Sequence, residues 1–164
     1  MKGISLSMYN KLFQLFINME VTLKQLLLEI ENKWEIPSLN DEMDAVNSVA
    51  DEFDIDTDDI IKNFPNGELR MLPNSIWEKL QNTDSTKSNS YYDIVQIIQK
   101  HQKKDPSYEK DWKNLKDGYS DDVKKMKSPI VVKKGKDYIL ISGNARLMVA
   151  KVMKISPLVY LFQV

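Results

Sequence analysis

The fold of this 164-residue chain is decided by residues 128–153, which read SPIVVKKGKDYILISGNARLMVAKVM. The β-branched residues 130–132 predict a strand, and Gly135 within a run of lysines predicts a tight turn. Residues 138–141 predict the strand that returns from this turn. From Leu147 onward the apolar residues recur at helical spacing, so the hydrophobic period changes from 2 to 3.6. The stretch therefore predicts a β-hairpin followed directly by a helix.

The junction between the second strand and the helix is the candidate functional site, and it reads Ser142-Gly143-Asn144-Ala145-Arg146. A helix that begins after a glycine leaves its first N–H groups without partners inside the helix. These groups and the positive end of the helix dipole attract anions. Arg146 falls in the first turn, where its planar guanidinium can close on a phosphate. We therefore expect these five residues to bind a phosphate group.

Two neighbouring segments complete the predicted domain. Residues 155–164 predict a last strand that is long enough to be central in a sheet, and residues 69–72 predict a first strand. Helices are predicted between them, so the pattern indicates an α/β (α+β) fold with a small mixed sheet.

The segment 82–90 is polar and has no core-forming side chain, so it predicts a mobile loop. A helix is predicted to follow, opened by the capping pattern Ser90-x-x-Asp93 and carrying His101 on its apolar face. A histidine on such a face is more often a partly buried structural residue than a base.

From about residue 68 to residue 164 the chain resembles the ParB/sulfiredoxin superfamily. The resemblance is to the N-terminal domain of chromosome-partition ParB proteins and to short, stand-alone bacteriophage members. The family pattern is a P-I-x-V strand, a hairpin, a G-x-x-R loop, an alanine-containing helix and a strand that begins near a proline. In this chain the pattern is carried by Pro129-Ile130-Val131-Val132, Gly143-Asn144-Ala145-Arg146, Val149-Ala150-Lys151 and residues 157–164.

The resemblance implies that the G-x-x-R loop binds nucleotide phosphates, with CTP or ATP and Mg²⁺ as the expected cofactors. Sulfiredoxin places its catalytic cysteine after the glycine, whereas this chain has Asn144 and no cysteine, so that activity is excluded. Partition proteins often have a glutamate and a second arginine where this chain has Asn144 and Ala145. This difference weakens the case for hydrolysis and leaves nucleotide binding. No catalytic residue is assigned, and enzymatic activity stays open.

Composition narrows the remaining chemistry. Without cysteine the chain has no disulfide, thiolate–zinc site or thiol nucleophile, and with His101 as its one histidine it has no histidine-rich metal site. The net charge of −1 divides unevenly, because residues 1–86 carry −9 and residues 87–164 carry +8. Two interpretations remain open. The two halves attract each other in the fold, or the basic half meets a nucleotide or nucleic acid while the acidic half docks on it or on a basic partner.

The predicted organisation is an acidic, α-helical N-terminal extension over residues 1–65 and a ParB/sulfiredoxin-like domain over residues 66–164. The boundary is the turn Phe64-Pro65-Asn66-Gly67. The apolar stripes of the helices predicted in the extension, including one over residues 6–34, indicate core packing, with a dimer or protein-partner interface as the alternative. We expect no signal peptide and no membrane span, and a cytoplasmic location.

The function expected from the sequence is binding of a nucleotide or nucleic-acid phosphate at residues 142–146, in DNA metabolism or a phage–host setting. The chain ends soon after the last strand, so we expect no sequence-specific DNA reading and only non-specific, salt-dependent contact with nucleic acid. One alternative is a nuclease or phosphotransferase of the same fold. It needs a carboxylate near the loop, for which Asp93 and Asp137 are the candidates. The other is a protein-interaction module whose degenerate loop binds nothing.

Overall fold

The computed structural model describes residues 33–108, 110, 112–120 and 125–164. Within these residues the structure is mixed α/β, with six helices and two small sheets. The helices are α1 Met43–Phe53, α2 Thr57–Asn63, α3 Asn74–Trp77, α4 Tyr91–Lys104, α5 Trp112–Ser120 and α6 Asn144–Met153. The strands are β1 Trp34–Glu35, β2 Glu68–Met71, β3 Met126–Lys127, β4 Ile130–Lys134, β5 Asp137–Ser142 and β6 Leu158–Gln163.

The larger sheet has the strand order β2-β6-β4-β5. Strands β4 and β5 form the hairpin that the sequence predicts, and Gly135 takes a positive φ of 60° in its turn. Strand β6 pairs with β4 in parallel and with β2 antiparallel, so the predicted central position of the last strand is confirmed. The predicted helix after the hairpin is also confirmed, as α6.

Both faces of this sheet are buried, because alternate side chains of its inner strands point to opposite sides. On one face the strands pack with α1 and α2 through Val46, Val49, Ile60, Ile130, Val132, Tyr160 and Phe162. On the other face they pack with α3, α4, α5 and α6 through Trp77, Ile94, Tyr119, Val131, Leu140, Leu147 and Val159. This second face holds the junction between β5 and α6.

The described part of the predicted N-terminal extension packs on the sheet of the predicted C-terminal domain. Helices α1 and α2 share one apolar cluster with β4, β5 and β6. Lys134 Nζ donates to the carbonyl oxygen of Phe53 at 2.9 Å and to that of Asp54, at the C-terminal end of α1, where a cation is favoured by the helix dipole. Among the described residues, the turn predicted as a boundary, Phe64–Asn66, therefore does not separate two cores.

The helix predicted over residues 6–34 lies outside the described residues except for its last two positions. Trp34 belongs to β1, which pairs in parallel with β3 and is not helical. The Trp34 ring meets the Tyr119 ring edge-on, with 5.7 Å between ring centroids. Tyr119 Oη in turn donates to the carbonyl oxygen of Arg146 at 3.1 Å. Trp34, in the segment before α1, is thereby linked to the first turn of α6 through Tyr119.

The 82–90 loop, defined here as residues 82–90, is folded, so the prediction of a mobile loop was wrong. Ser85 and Ser88 are 0% exposed. Trp77 Nε1 donates to Ser85 Oγ at 2.8 Å, and Ser88 Oγ donates to the carbonyl oxygen of Asp84 at 3.1 Å. Hydroxyl groups with such partners are buried at little cost. The polar composition therefore marked a hydrogen-bonded loop that packs against α6.

None of the helices in the described part of the chain is long and apolar enough to cross a membrane. The longest of them, α4, has 14 residues and begins with the predicted capping box. Its Ser90 hydroxyl accepts from the backbone N–H of Asp93, while the Asp93 carboxylate accepts from the backbone N–H of Ser90. This cap fixes the start of the helix that carries His101 beside the 82–90 loop.

Candidate functional site

Strand β5 ends at Ser142 and α6 begins at Asn144, with Gly143 as the residue between them. Gly143 has a φ of 98°, in the left-handed region, and turns the chain from strand to helix. No side chain of the described residues caps the N-terminus of α6. The junction therefore has the strand–glycine–helix geometry that the sequence predicts, with the positive end of a ten-residue helix dipole at its centre.

The hydroxyl group of Ser142 is buried at this junction without a hydrogen-bond partner. The residue is 9% exposed, and its Oγ is the one buried side-chain polar atom in the described part of the chain that lacks a partner. Burying a hydroxyl without a hydrogen bond costs about 1–3 kcal/mol in proteins. A hydroxyl can both donate and accept, so a ligand oxygen at the junction would satisfy it.

Gly143 is required by packing as well as by its backbone conformation. A Cβ atom at this position would lie 2.7 Å from both Cα and Cβ of Pro129, the residue that precedes β4. Real Cβ contacts are not this short, so any side chain would push the β5–α6 junction away from β4. The absence of a side chain at Gly143 therefore lets Pro129 approach the junction closely.

The side chain of Asn144 fastens the start of α6 to the 82–90 loop. Its Oδ1 accepts from Thr83 Oγ1 at 3.0 Å and from the backbone N–H of Asp84 at 2.9 Å. Its Nδ2 donates to Asp84 Oδ2 at 2.9 Å. Its side-chain oxygen and one of its two N–H donors are therefore used inside the protein, and the backbone N–H of Asn144 is available to a ligand.

Arg146 contacts the segment that leads into β4. Its Nη1 donates to the carbonyl oxygens of Lys127 and Ser128, the latter at 3.1 Å. Burial lowers the pKa of the Arg146 guanidinium, and the Glu42 carboxylate acts in the opposite direction. An arginine stays charged in proteins, so these are charge-assisted hydrogen bonds. The phosphate contact expected from Arg146 stays a prediction, because the structure shows its Nη1 bound to backbone.

Ala145, the remaining predicted site residue, packs in the apolar cluster on the α6 side of the sheet and is 7% exposed. Its methyl group has no part in anion binding, so only its backbone N–H can serve a ligand. The five predicted residues are thus brought together, but their side chains have different tasks. The Asn144 and Arg146 side chains hold the junction, and the Ser142 hydroxyl is the one that lacks a partner within the described residues.

A carboxylate–imidazole pair that the sequence did not single out lies next to this junction. Asp84 Oδ2 is 3.0 Å from His101 Nε2, and the same oxygen accepts from Asn144 Nδ2. The imidazole ring contacts the ring of Tyr108 in a tilted arrangement, with 5.1 Å between ring centroids. The side chains of Asp84 and His101 are 27% and 39% exposed, so solvent reaches both. His101 is thus the partly buried, hydrogen-bonded residue that its helical face predicts.

The hydrogen bonds to Asp84 control its ionisation. Burial alone would raise the pKa of Asp84, but hydrogen bonds from His101 and Asn144, with the charges of His101 and Lys87, outweigh burial and hold this pKa below its usual value. Asp84 is therefore a carboxylate at neutral pH. The same negative charge and burial raise the pKa of the Tyr108 hydroxyl, burial being the larger cause.

A chain of hydroxyl groups links the core to the first residue of α6. Trp77 Nε1 donates to Ser85 Oγ, the hydroxyl oxygens of Ser85 and Thr83 are 2.8 Å apart, and Thr83 Oγ1 donates to Asn144 Oδ1. Each hydroxyl has one proton. Because the Thr83 proton goes to Asn144, the Ser85 proton goes to Thr83. Every member of the chain is then satisfied, which fixes the loop on the helix.

The two carboxylates that the sequence offered near the loop are placed elsewhere. Asp93 Oδ2 accepts from the backbone N–H groups of Asn89 and Ser90 in the helix cap. Asp137 is the first residue of β5, whereas Ser142 is its last. In the part of the chain that the structure describes, the carboxylate that contacts the junction is Asp84. The sequence did not single out Asp84 because it lies in the polar segment that was predicted to be a mobile loop. The Thr, Asp and Ser residues of this segment could have indicated an ordered loop, since such residues form local side chain–backbone hydrogen bonds.

The described residues contain no group of three or more His, Asp or Glu side chains that could hold a metal ion. A magnesium ion that accompanies a nucleotide takes most of its ligands from phosphates and water, with one or two carboxylates from the protein. Among the described residues Asp84 is the one carboxylate that contacts the junction, and its Oδ2 already accepts from Asn144 and His101. The side chains therefore fit Mg²⁺ only as a companion of a bound nucleotide.

Comparison of the chain with protein-family models, with curated proteins and with solved structures finds no match. Function must therefore be inferred from the site itself. Three features are available for that inference: the N-terminus of α6, which no described side chain caps, the Ser142 hydroxyl and the Asp84 carboxylate held by His101.

The hydrogen bonds around Asp84 lead to a pH-dependent stability. Its pKa is lower in the folded protein than the unfolded value of 3.8, so its ionisation stabilises the fold above that value. This stabilisation is lost as the pH falls from 3.8 through the folded pKa. We expect Asp84→Asn to remove this part of the acid sensitivity, measured as the midpoint of urea unfolding between pH 2 and pH 6.

Asp137→Asn is the matched control, because Asp137 is exposed at the far end of β5. It should retain the acid sensitivity of the unchanged protein. A pH profile of Asp84→Asn that coincides with that of Asp137→Asn would show that the hydrogen bonds to Asp84 do not stabilise its charge.

Proposed function

We propose that this protein binds the phosphate group of a nucleotide at the N-terminus of α6. The phosphate oxygens accept from the backbone N–H groups of residues 144–146 and from the Ser142 hydroxyl. The observation that carries this proposal is the buried Ser142 Oγ without a partner, next to a helix N-terminus that no described side chain caps. Buried polar atoms are nearly always hydrogen-bonded, and in this proposal the ligand supplies the partner of Ser142 Oγ.

The electrostatics of the junction agree with an anionic ligand. The positive end of the α6 dipole lies there. The negative charge of Asp84 is partly offset by its hydrogen bonds from Asn144 and His101 and by the charge of Lys87. The resemblance to the ParB/sulfiredoxin superfamily supports the same ligand class, with CTP and ATP as the first nucleotides to test.

In this proposal the other predicted site residues build the loop. Gly143 admits Pro129, Asn144 holds the 82–90 loop, and the Arg146 guanidinium holds the segment before β4. A pre-formed loop costs less entropy when the ligand binds, since its backbone is ordered beforehand. The structure thus supports phosphate binding by backbone amides and the Ser142 hydroxyl, in a loop that the side chains of Asn144 and Arg146 hold in place.

Ser142→Ala tests the proposal without disturbing the fold. Because Ser142 Oγ lacks a partner among the described residues, removing it should leave the free energy of unfolding unchanged or raise it. A hydrogen bond to a charged ligand contributes about 1.5–3 kcal/mol, so the affinity for ATP or CTP should fall about ten- to hundredfold. Titration calorimetry measures the affinity, and thermal unfolding measures the stability.

Ser128→Ala is the matched control, with the opposite expectation. Ser128 is also buried, but its Oγ donates to the carbonyl oxygen of Glu35 at 3.1 Å. Its loss should reduce stability and leave nucleotide affinity unchanged. Absence of ATP and CTP binding to the unchanged protein, or equal affinities for it and Ser142→Ala, would reject the proposal. A single-stranded DNA oligonucleotide that binds where both nucleotides fail would assign the site to nucleic acid.

A further inference from the structure

One carboxylate oxygen of Asp84 makes no hydrogen bond to any other described residue. All the side-chain hydrogen bonds it makes to other described residues use Oδ2, which accepts from His101 Nε2 at 3.0 Å and from Asn144 Nδ2 at 2.9 Å. Oδ1 has no such partner within the described part of the chain. The side chain is 27% exposed, so this oxygen is not sealed from solvent.

The orientation of the Asp84 carboxylate is fixed by its neighbours. His101 approaches from α4, where its ring contacts that of Tyr108, and Asn144 approaches from the first position of α6. The backbone N–H of Asp84 is also held, because it donates to Asn144 Oδ1 at 2.9 Å. Two donors on one oxygen and an anchored backbone leave the carboxylate little freedom to rotate. Oδ1 is therefore a pre-positioned acceptor next to the helix N-terminus.

A carboxylate in this place discriminates between phosphate ligands. It repels the negative charge of a phosphate, and this cost falls on inorganic phosphate and on every phosphorylated ligand alike. The carboxylate offsets this repulsion only for a ligand with a hydrogen-bond donor near its phosphate, because it then accepts that hydrogen bond. The hydroxyl groups of a ribose are such donors, and acidic side chains bind them in other nucleotide sites.

We propose that Asp84 is a specificity-determining residue that accepts a hydrogen bond from a ribose hydroxyl, so that the site prefers ribonucleotides to inorganic phosphates. This inference rests on the proposed phosphate site at α6. Asn144 and His101 are positioning residues for Asp84, since each holds Oδ2 and leaves Oδ1 available. Asn144 and His101 therefore position Asp84 for ligand discrimination as well as holding the 82–90 loop.

The first test compares ligands on the unchanged protein and needs no variant. Calorimetric affinities are measured for ATP, for 2′-deoxy-ATP and 2′,3′-dideoxy-ATP, and for inorganic tripolyphosphate. We expect ATP to bind about ten- to hundredfold more tightly than the dideoxy form, the range of one hydrogen bond to a charged group. Tripolyphosphate should bind more weakly still, because the Asp84 carboxylate repels it and it has no ribose hydroxyl to donate a hydrogen bond.

The second test is Asp84→Asn, which keeps the size of the side chain and removes its charge. The ratio of ATP affinity to dideoxy-ATP affinity should fall toward one, and the affinity for tripolyphosphate should rise. Asp137→Asn, an exposed change on the same strand as Ser142, should leave both affinities unchanged. Circular dichroism of each variant confirms the fold before titration.

The outcomes separate this inference from the proposal on which it rests. If tripolyphosphate, ATP and dideoxy-ATP bind with equal affinity, the phosphate site stands and the role of Asp84 is overturned. The same holds if the preference for ATP persists in Asp84→Asn. A preference that follows the base amino group, with CTP favoured over UTP regardless of the sugar, overturns the ribose contact. If none of the ligands binds, the phosphate site and the Asp84 inference are both rejected.

Discussion

Gly143→Ala is expected to lower the free energy of unfolding by about 2–5 kcal/mol, the largest effect of any single substitution at the site. Holding a non-glycine residue in the left-handed region costs about 1–2 kcal/mol, and Gly143 has a φ of 98°. The new methyl group would also stand 2.7 Å from Pro129 Cα, and overpacking of this kind costs about 1–3 kcal/mol more. Urea unfolding monitored by circular dichroism measures the change.

Gly135→Ala separates the two contributions. Gly135 also has a positive φ, of 60°, but a Cβ placed there meets no atom within 4 Å. Its substitution should cost only the backbone term of about 1–2 kcal/mol. Equal losses at Gly143 and Gly135 would show that the close approach of Pro129 contributes nothing.

Arg146→Ala is expected to cost about 2–4 kcal/mol, because it removes charge-assisted hydrogen bonds to the carbonyl oxygens of Lys127 and Ser128. The guanidinium is packed against the backbone segment before β4, so its loss acts on the fold itself. Denaturant unfolding at neutral pH gives the measurement, with nucleotide affinity measured on the folded fraction.

Arg70→Ala is the control for Arg146→Ala. The Arg70 side chain is 63% exposed and its one ion pair, to Glu68, is 3.6 Å long. An exposed pair of this kind contributes little, so the change in stability should stay within about 0.5 kcal/mol. If Arg146→Ala is as mild as Arg70→Ala but abolishes nucleotide binding, the arginine is a ligand contact, as the sequence suggested, and its backbone contacts are incidental.

The strand–turn–strand–helix unit could be predicted from the sequence because its signals are local. The β-branched run at 130–132, the glycine at 135 and the change of hydrophobic period after Ser142 each depend on neighbouring residues only. The structure reproduces them as β4, β5 and α6. The central position of β6 followed from the length of its apolar run.

The tasks of the site side chains could not be predicted in the same way, because they depend on contacts distant in sequence. Asn144 forms hydrogen bonds with Asp84. Arg146 donates to the carbonyl oxygens of Lys127 and Ser128, at the end of the β4–β5 hairpin opposite its turn. A G-x-x-R pattern specifies where the helix starts. It does not specify whether the donors after the glycine serve a phosphate or a carbonyl oxygen, since both are acceptors of the same geometry.

The uneven charge distribution is in part an internal feature of the fold. Lys127 Nζ lies 3.3 Å from Asp41 Oδ2, and Lys125 Nζ lies 3.9 Å from Glu35 Oε1. These pairs join the basic half of the sequence to the acidic half, as one of the two sequence interpretations holds. Each pair is exposed and contributes little alone. Contact of the remaining lysines with nucleic acid stays a prediction.

The central claim, phosphate binding at the N-terminus of α6, is tested most directly by an NMR titration of the ¹⁵N-labelled protein with ATP. We expect the backbone amide resonances of Asn144, Ala145 and Arg146 to shift together and to saturate, because these N–H groups bind the phosphate oxygens. The shifts should weaken in Ser142→Ala at the same ATP concentration. The side chains of Lys125, Lys127 and Arg146 also line a neighbouring groove, so Asn144 and Ala145 are the decisive reporters. Unmoved resonances for these two residues, or shifts confined to the groove, would contradict the claim.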